Sequence, residues 1–337
     1  MKQKRILLVR PDRIGDVVLS TPIPRELKKK YPNCFVAVLL QDYTKDIYLN
    51  NPHVDKIIVM DKSTNLFDKS FREKVREIKS FHFTHSLTLL PTERINYMLF
   101  FAGIPYRLGV GNKLYHYLTL THFVSRKKYI PLRHEADYSM DSARRIGVET
   151  NNLETEIHLT KVELNNAKEL REKLLLGKKY LIGVHVTSGN SAPNWSPKQY
   201  AELINELKKI ENFQIIVTDN KVPDEIKNIP GIEFPNIDIR LRESFVTFKA
   251  LDLLISASTG PMHLAAALKV KTISLFCPLT ACSPKLWGPM GNESRILLPK
   301  PDYCSLKCPG DPKKCNLEGR DGITINDVLE SVNNFIY

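Results

Sequence analysis

Arg5-Ile6-Leu7-Leu8-Val9, followed by Arg10-Pro11-Asp12-Arg13-Ile14-Gly15-Asp16, is the stretch on which the fold turns. A short apolar run that stops at a polar, glycine-containing turn reads as a strand of a covered parallel sheet. Val17 to Lys30 then reads as a helix closed by Tyr31-Pro32. Pro22 and Pro24 fall inside it, so that helix must start late or be broken. Phe35 to Leu40 is a second strand, Asp42 to Leu49 a second helix and Val54 to Val59 a third strand. Strands and helices alternating through short links make βαβ units, with helices on both faces of one sheet. Ligands of such sheets collect beyond the carboxyl ends of the strands, where residues 10–16 lie. Gly15 permits a tight turn or a close approach. Without a G-x-G-x-x-G run there is no dinucleotide fingerprint. Asp16 has two readings from its chemistry, a base or the N-cap of the next helix.

The rhythm continues through a helix at 70–79, a strand at 82–89, a helix at 92–102 and a short strand near 105–109. The polar, aromatic and basic stretch 112–133 reads as loops facing a cleft, and 134–146 as a helix. Residues 147–177, rich in Asn, Thr, Glu and Lys, are expected to link two halves. A second βαβ series starts at Tyr180, with a helix over 197–210 that has Ser196 as N-cap and Pro197 in its first position. Strands at 213–218, 253–257 and 272–276 alternate with helices at 246–250 and 262–268. This predicts an N-terminal Rossmann-like domain over 1–160 and another over 175–322. A last helix over 323–337 is expected to cross back and brace the first domain.

A chain of 337 residues with 42% apolar content has room for two such cores. Its formal net charge of +12 favours an anionic partner: nucleic acid, a phosphorylated ligand or an anionic membrane surface. No nucleic-acid binding module or aromatic-basic repeat accompanies the charge, so a basic nucleic-acid binding protein is the weaker alternative and no specific nucleic-acid partner is expected. The first apolar run is too short for a secretory leader and no run is long enough to span a bilayer, so a cytoplasmic location is expected. Cys304, Cys308 and Cys315 cluster near the end, without the paired spacing of a zinc site. No metal and no cofactor are expected.

Two further motifs fall at strand ends of the second half. His185-Val186-Thr187-Ser188-Gly189-Asn190-Ser191, leading to Ala192-Pro193-Asn194-Trp195, offers hydroxyls and backbone donors suited to a phosphate, or is a plain polar loop. In Ser258-Thr259-Gly260-Pro261-Met262-His263 a helix opens after a small polar turn, with Pro261 in its first position. Its free N–H groups and dipole suit an anion. Thr259 can cap the helix or meet a phosphate oxygen, Gly260 clears the approach, and His263 falls in the first turn. An ordinary capped junction with a packed histidine is the other reading.

Through these motifs the sequence resembles glycosyltransferase family 9, the ADP-heptose:lipopolysaccharide heptosyltransferases. The resemblance rests on Arg10 to Asp16, Asn194-Trp195-Ser196-Pro197, Thr259 to Leu268 and the three tail cysteines, with Gly103-Ile104-Pro105 and Arg107-Leu108-Gly109 adding to it. It implies a GT-B fold: two Rossmann-like domains whose parallel sheets face a central cleft, acceptor on the N-terminal one and donor on the C-terminal one. It implies metal-independent transfer of a heptose or related sugar from a nucleotide-sugar donor, ADP-linked, with inversion. By motif position Asp16 is the base. Thr187, Ser188, Gly189, Asn194, Ser258, Thr259, Gly260 and His263 are expected to hold the donor. The implied acceptor is a phosphorylated glycolipid core at the inner face of the inner membrane. Arg13, Arg94, Arg107, Lys113, Arg126, Lys127, Lys128 and Arg133 are the candidates to meet it as a basic rim beside Asp16; each also reads as a solvated surface charge. The sequence departs from the family pattern at Ser258, where an Asp is common, and at Pro193, where many members have Lys. These changes point to an altered donor pocket or to a catalytically silent relative.

Overall fold

A computed structural model of the chain describes residues 3–60, 63, 65–66, 68–125, 129–311 and 313–336. The chain forms two compact units, Met1–His158 and Leu159–Tyr337.

In the first unit, β1 (Arg5–Val9), β2 (Phe35–Leu40), β3 (Lys56–Val59), β4 (His85–Thr88), β5 (Tyr106–Val110) and β6 (His122–Val124) form one sheet. Its order is β3-β2-β1-β4-β5-β6, with every pairing parallel. The strand order reverses between β1 and β4, so the loop after β1 opens at a topological switch point. Ile6, Leu7, Leu8 and Val9 are all buried, as a strand covered on both faces requires.

The two awkward prolines resolve as a break. One helix, Ile14–Val18, ends at Leu19, and a second, Pro22–Lys30, begins with Pro22 in its first position and Pro24 in its third. Neither proline removes an intrahelical bond there, because the first N–H groups of a helix have no partner within it. The stretch read as loops at 112–133 contains a short helix, Leu114–Leu118, and β6.

In the second unit, β7 (Tyr180–His185), β8 (Phe213–Val217), β9 (Leu253–Ala257), β10 (Lys271–Leu275) and β11 (Ser294–Leu297) form a parallel sheet of order β11-β10-β9-β7-β8. Its switch point lies between β7 and β9. The boundary between the units, His158 to Leu159, falls within the segment expected to hold the link, which also holds a helix, Lys161–Leu175. Thr160 accepts from the backbone N–H of Glu163, and the Glu163 carboxylate accepts from that of Thr160. This capping box starts the helix despite its polar composition. The last helix, Ile325–Ile336, was expected on the first unit; it instead buries Val328 and Val332 in the core of the second. No helix among the described residues is long and apolar enough to cross a membrane.

Candidate functional site

The turn after β1 is anchored by a fully buried cation. Arg10, 2% exposed, donates from Nη2 to Asp16 Oδ1 at 2.7 Å and to Glu135 Oε1 at 3.1 Å, and its Nε lies 3.7 Å from Asp12 Oδ2. Asp16 occupies the third position of helix Ile14–Val18, whose N-cap is Arg13, so the capping alternative falls. The geometry instead turns the carboxylate onto Arg10. Glu135 is fully buried at the start of helix Glu135–Arg144 and comes from 125 residues away in the chain. Three carboxylates thus share one guanidinium. Burial of Asp16, offset by Arg10 and reinforced by Asp12 and Glu135, raises its pKa to about 6. With its side chain 19% exposed, Asp16 keeps an opening to solvent while Glu135 has none.

A groove of about 690 Å³ lies at the carboxyl edge of this sheet, lined by Pro11, Gln41, Tyr43, Met60, Thr92 and Arg94 among others. Tyr43 ties it to the Asp16 turn by donating from its hydroxyl to the Asp12 carbonyl at 3.1 Å.

The structure scatters the expected basic rim. Arg13 is exposed and adjoins the Asp16 turn. Arg94 lines the groove but is 6% exposed; it donates to the Asn65 carbonyl and to Ser70 Oγ at 3.0 Å and lies 3.4 Å from Asp68. Arg107 is buried in the sheet and donates to the carbonyls of Ile104 and Thr119, a structural role rather than a surface one. Arg133 is paired with Asp137 at 2.8 Å and Asp141 at 2.5 Å, which neutralises it. Lys113 is exposed just before helix Leu114–Leu118. Arg126, Lys127 and Lys128 lie outside the described residues.

The second switch point is anchored by an anion. Asp219, just beyond β8, is fully buried. Its carboxylate accepts from the backbone N–H groups of Val186 (2.8 Å) and Thr187 (2.9 Å) and from the Thr187 hydroxyl (2.6 Å). His185 Nε2 lies 3.2 Å from it and His185 Nδ1 lies 3.0 Å from Thr218 Oγ1. This pattern fits a neutral ring protonated on Nε2, and burial holds the His185 pKa below its usual range. Sequence reasoning missed Asp219 and Glu135; the position of Asp219 at a strand's carboxyl end was the available signal, and Glu135 had none.

The expected donor residues fall into two groups. Thr187 gives its hydroxyl proton and its N–H to Asp219, and the Asn194 side chain bridges the Val186 carbonyl (2.8 Å) and the Tyr200 hydroxyl (2.8 Å). Both hold the loop in shape. Ser188 and Gly189 form its outer turn, with Gly189 at φ +55°. Ser258, Thr259 and Gly260 follow β9, and Ser258 N donates to the Leu275 carbonyl at 3.1 Å. Thr259 is the N-cap of helix Gly260–Ala267 by position, but its side chain makes no capping bond; Pro261 is second in the helix rather than first. His263 is buried within that helix, as are Met262 and residues 264–267.

All six cysteines are free thiols. Among the described residues no group of His, Cys, Asp and Glu could hold a metal ion.

The family model described as glycosyltransferase family 9 (heptosyltransferase) matches residues 94–309. A putative glycosyltransferase of Haemophilus influenzae is 27% identical over 351 residues, spanning 99% of this chain and 97% of the relative. The solved family 9 glycosyltransferase of Veillonella parvula superposes with a TM-score of 0.81 at 20% identity, covering 98% of this chain and 96% of that one. The Escherichia coli ADP-heptose lipopolysaccharide heptosyltransferase II does so with a TM-score of 0.73 at 18% identity, covering 98% of each. Two parallel sheets with these neighbours define the GT-B fold, and the family model makes the chain an enzyme that transfers sugars. The chain belongs to glycosyltransferase family 9, the heptosyltransferases.

Proposed function

We propose that this enzyme transfers a heptosyl group, with inversion, from an ADP-linked donor to a phosphorylated glycolipid acceptor, and that Asp16 is the base. The observation that carries the reading is the Asp16 carboxylate, partly open to solvent and held by Arg10 at 2.7 Å, with a pKa of about 6. An ordinary carboxylate is a poor base for an alcohol. One raised toward neutrality is still ionised at cellular pH and accepts a proton more strongly. As the acceptor oxygen bonds to the anomeric carbon and the nucleoside diphosphate leaves, the hydroxyl proton passes to Asp16 Oδ. Arg10 fixes the direction of that carboxylate. The first unit supplies the base and the acceptor groove.

The second unit is assigned the donor. The turn at Ser188 and Gly189 and the first turn of helix Gly260–Ala267 flank its switch point, where N–H groups and the helix dipole favour diphosphate oxygens. They offset the negative charge that grows on the leaving group. The Escherichia coli structural neighbour, an ADP-heptose lipopolysaccharide heptosyltransferase, supports ADP-heptose as donor.

The test is mass-resolved turnover of ADP-, GDP-, UDP- and dTDP-sugars with a glycolipid extract, beside Asp16→Asn. Turnover of an ADP-heptose that is lost in Asp16→Asn is the expected result. Turnover of another donor would replace ADP-heptose, and binding of a donor without transfer to any acceptor would favour a silent relative.

A further inference from the structure

The groove beside the Asp16 turn carries a charge that does not match the chain around it. The chain as a whole has a net charge of +12. Among the described residues that line the groove, the charged ones are Asp42, Glu93 and Arg94. Arg94 is buried, and the Asn65 carbonyl, Ser70 and Asp68 take up its guanidinium. Asp42 pairs with Lys45 at 2.7 Å. Glu93, the first residue of helix Glu93–Phe101, is exposed, and among the described residues its carboxylate has neither an ion pair nor a hydrogen bond. Much of the remaining wall is apolar, from Met60, Leu66, Leu90 and Ile95. A phosphate entering this groove would meet no unspent cation among these residues, and Glu93 would repel it.

An uncharged sugar ring fits the same wall. A pyranose has an apolar C–H face and a rim of hydroxyls, so it suits an aromatic ring beside an acceptor of hydrogen bonds. Tyr43 supplies the ring. It lies in the short 3-10 helix Asp42–Ile47 that follows β2, lines the groove and is 48% exposed. An exposed tyrosine is ordinary by itself. This one is tethered: its hydroxyl donates to the Asp12 carbonyl at 3.1 Å, and Gln41, just before it, donates from Nε2 to the Pro11 carbonyl at 2.9 Å. Two successive carbonyls of the turn that carries Asp16 are thereby tied to the segment that carries Tyr43. Burial and the nearby Asp12 carboxylate push the Tyr43 pKa up, which keeps its hydroxyl a donor. With its tip fixed, the ring is a half-open wall of the groove that cannot swing away.

We infer that Tyr43 is the platform on which an uncharged sugar ring of the acceptor lies, with Glu93 accepting from its hydroxyls, while any phosphate of the acceptor stays outside this groove. The inference rests on reading the groove as the acceptor site, and it names the part of the acceptor that enters. The tether gives the platform a second role. A sugar stacked on Tyr43 is held in fixed relation to the turn from Arg10 to Asp16.

The probe is lipid-free oligosaccharide prepared from the glycolipid extract with its phosphates kept. Saturation-transfer NMR with the full chain reads which sugar protons lie against the protein, with no turnover needed. The strongest signals are expected on the ring C–H protons of a residue without phosphate, lost in Tyr43→Leu and kept in Tyr43→Phe. In steady-state kinetics at saturating donor, Tyr43→Leu should raise the acceptor KM about five- to tenfold, with donor affinity unchanged. Tyr43→Phe should keep that KM and lower kcat about threefold, because it loses only the tie to Asp12. Wild-type KM and saturation in Tyr43→Leu would overturn the inference. So would the strongest saturation on a phosphate-bearing residue, or no saturation in the wild type. Equal loss of binding in the two variants would assign the effect to the hydroxyl and also overturn the platform. If no donor is turned over but Tyr43→Leu alone abolishes saturation, the transfer reading fails and the platform stands.

Discussion

The two switch points solve one construction problem with opposite charges. After β1, a buried cation, Arg10, gathers Asp12, Asp16 and Glu135; after β7, a buried anion, Asp219, gathers the N–H groups of Val186 and Thr187, the Thr187 hydroxyl and His185. Burial outweighs the pull of Arg10 on Asp16, and Asp12 and Glu135 add to it, so Asp16 is left with a raised pKa and an opening to solvent. The anion has its proton donors in place and leaves no reactive group behind. One anchor leaves a carboxylate able to titrate near neutrality, and the other fixes a shape.

The comparison fails first, and most visibly, at Asp16. Asp16→Asn should lower the transfer rate by about 10²–10⁴-fold, the usual worth of a positioned general base. A smaller loss in single-turnover kinetics would move the base elsewhere. Asp219→Asn should act on shape instead. It turns an amide N–H toward a backbone N–H and loses acceptor bonds, costing about 2–4 kcal/mol in denaturant unfolding and weakening donor binding in calorimetry. An unchanged midpoint would make the second anchor dispensable.

The first anchor carries the opposite stability sign. Because the folded pKa of Asp16 is raised from 3.8 to about 6, its contribution to stability is full below the unfolded value and is lost as pH rises through about 6. At about pH 7.5 the wild type therefore bears a cost that Asp16→Asn relieves, so the variant should be more stable by ~1–2 kcal/mol, a gap that closes toward about pH 4. Melting curves at both pH values check this, and a destabilised variant at the higher pH would contradict it. The same protonation predicts that kcat/KM falls below a pH of about 6 as Asp16 takes up its proton. The smallest effect concerns the thiols. A hydrogen bond from Cys277 lowers the Cys282 pKa to about 7, so at neutral pH iodoacetamide should label Cys282 before the other cysteines in peptide mapping.

Much of this arrangement was legible from local signals. The strand at Arg5–Val9, the cap at Ser196 and the βα turn at Ser258–Gly260 each depend on neighbours in the chain, and each appears within a residue or two of its expected place. The capping box at Thr160 and Glu163 was equally local and was hidden by polar composition. Arg133 was misread for a similar reason. Asp137 and Asp141 follow it at helical spacing and could have marked it as paired. Arg94 and Arg107 were out of reach, because whether an arginine is buried depends on tertiary packing. The partners that set the Asp16 pKa divide the same way: Arg10 and Asp12 are its neighbours in the motif, while Glu135 comes from a distant helix.

That distant partner bears on the order in which the enzyme becomes competent during synthesis. The motif from Arg10 to Asp16 emerges among the first residues, but Arg10 must wait for Glu135, 125 residues later, before its third carboxylate arrives. A nascent or truncated chain ending short of Glu135 carries every letter of the motif and lacks one of the charges that act on the Asp16 carboxyl. Competence is a property of the finished first unit.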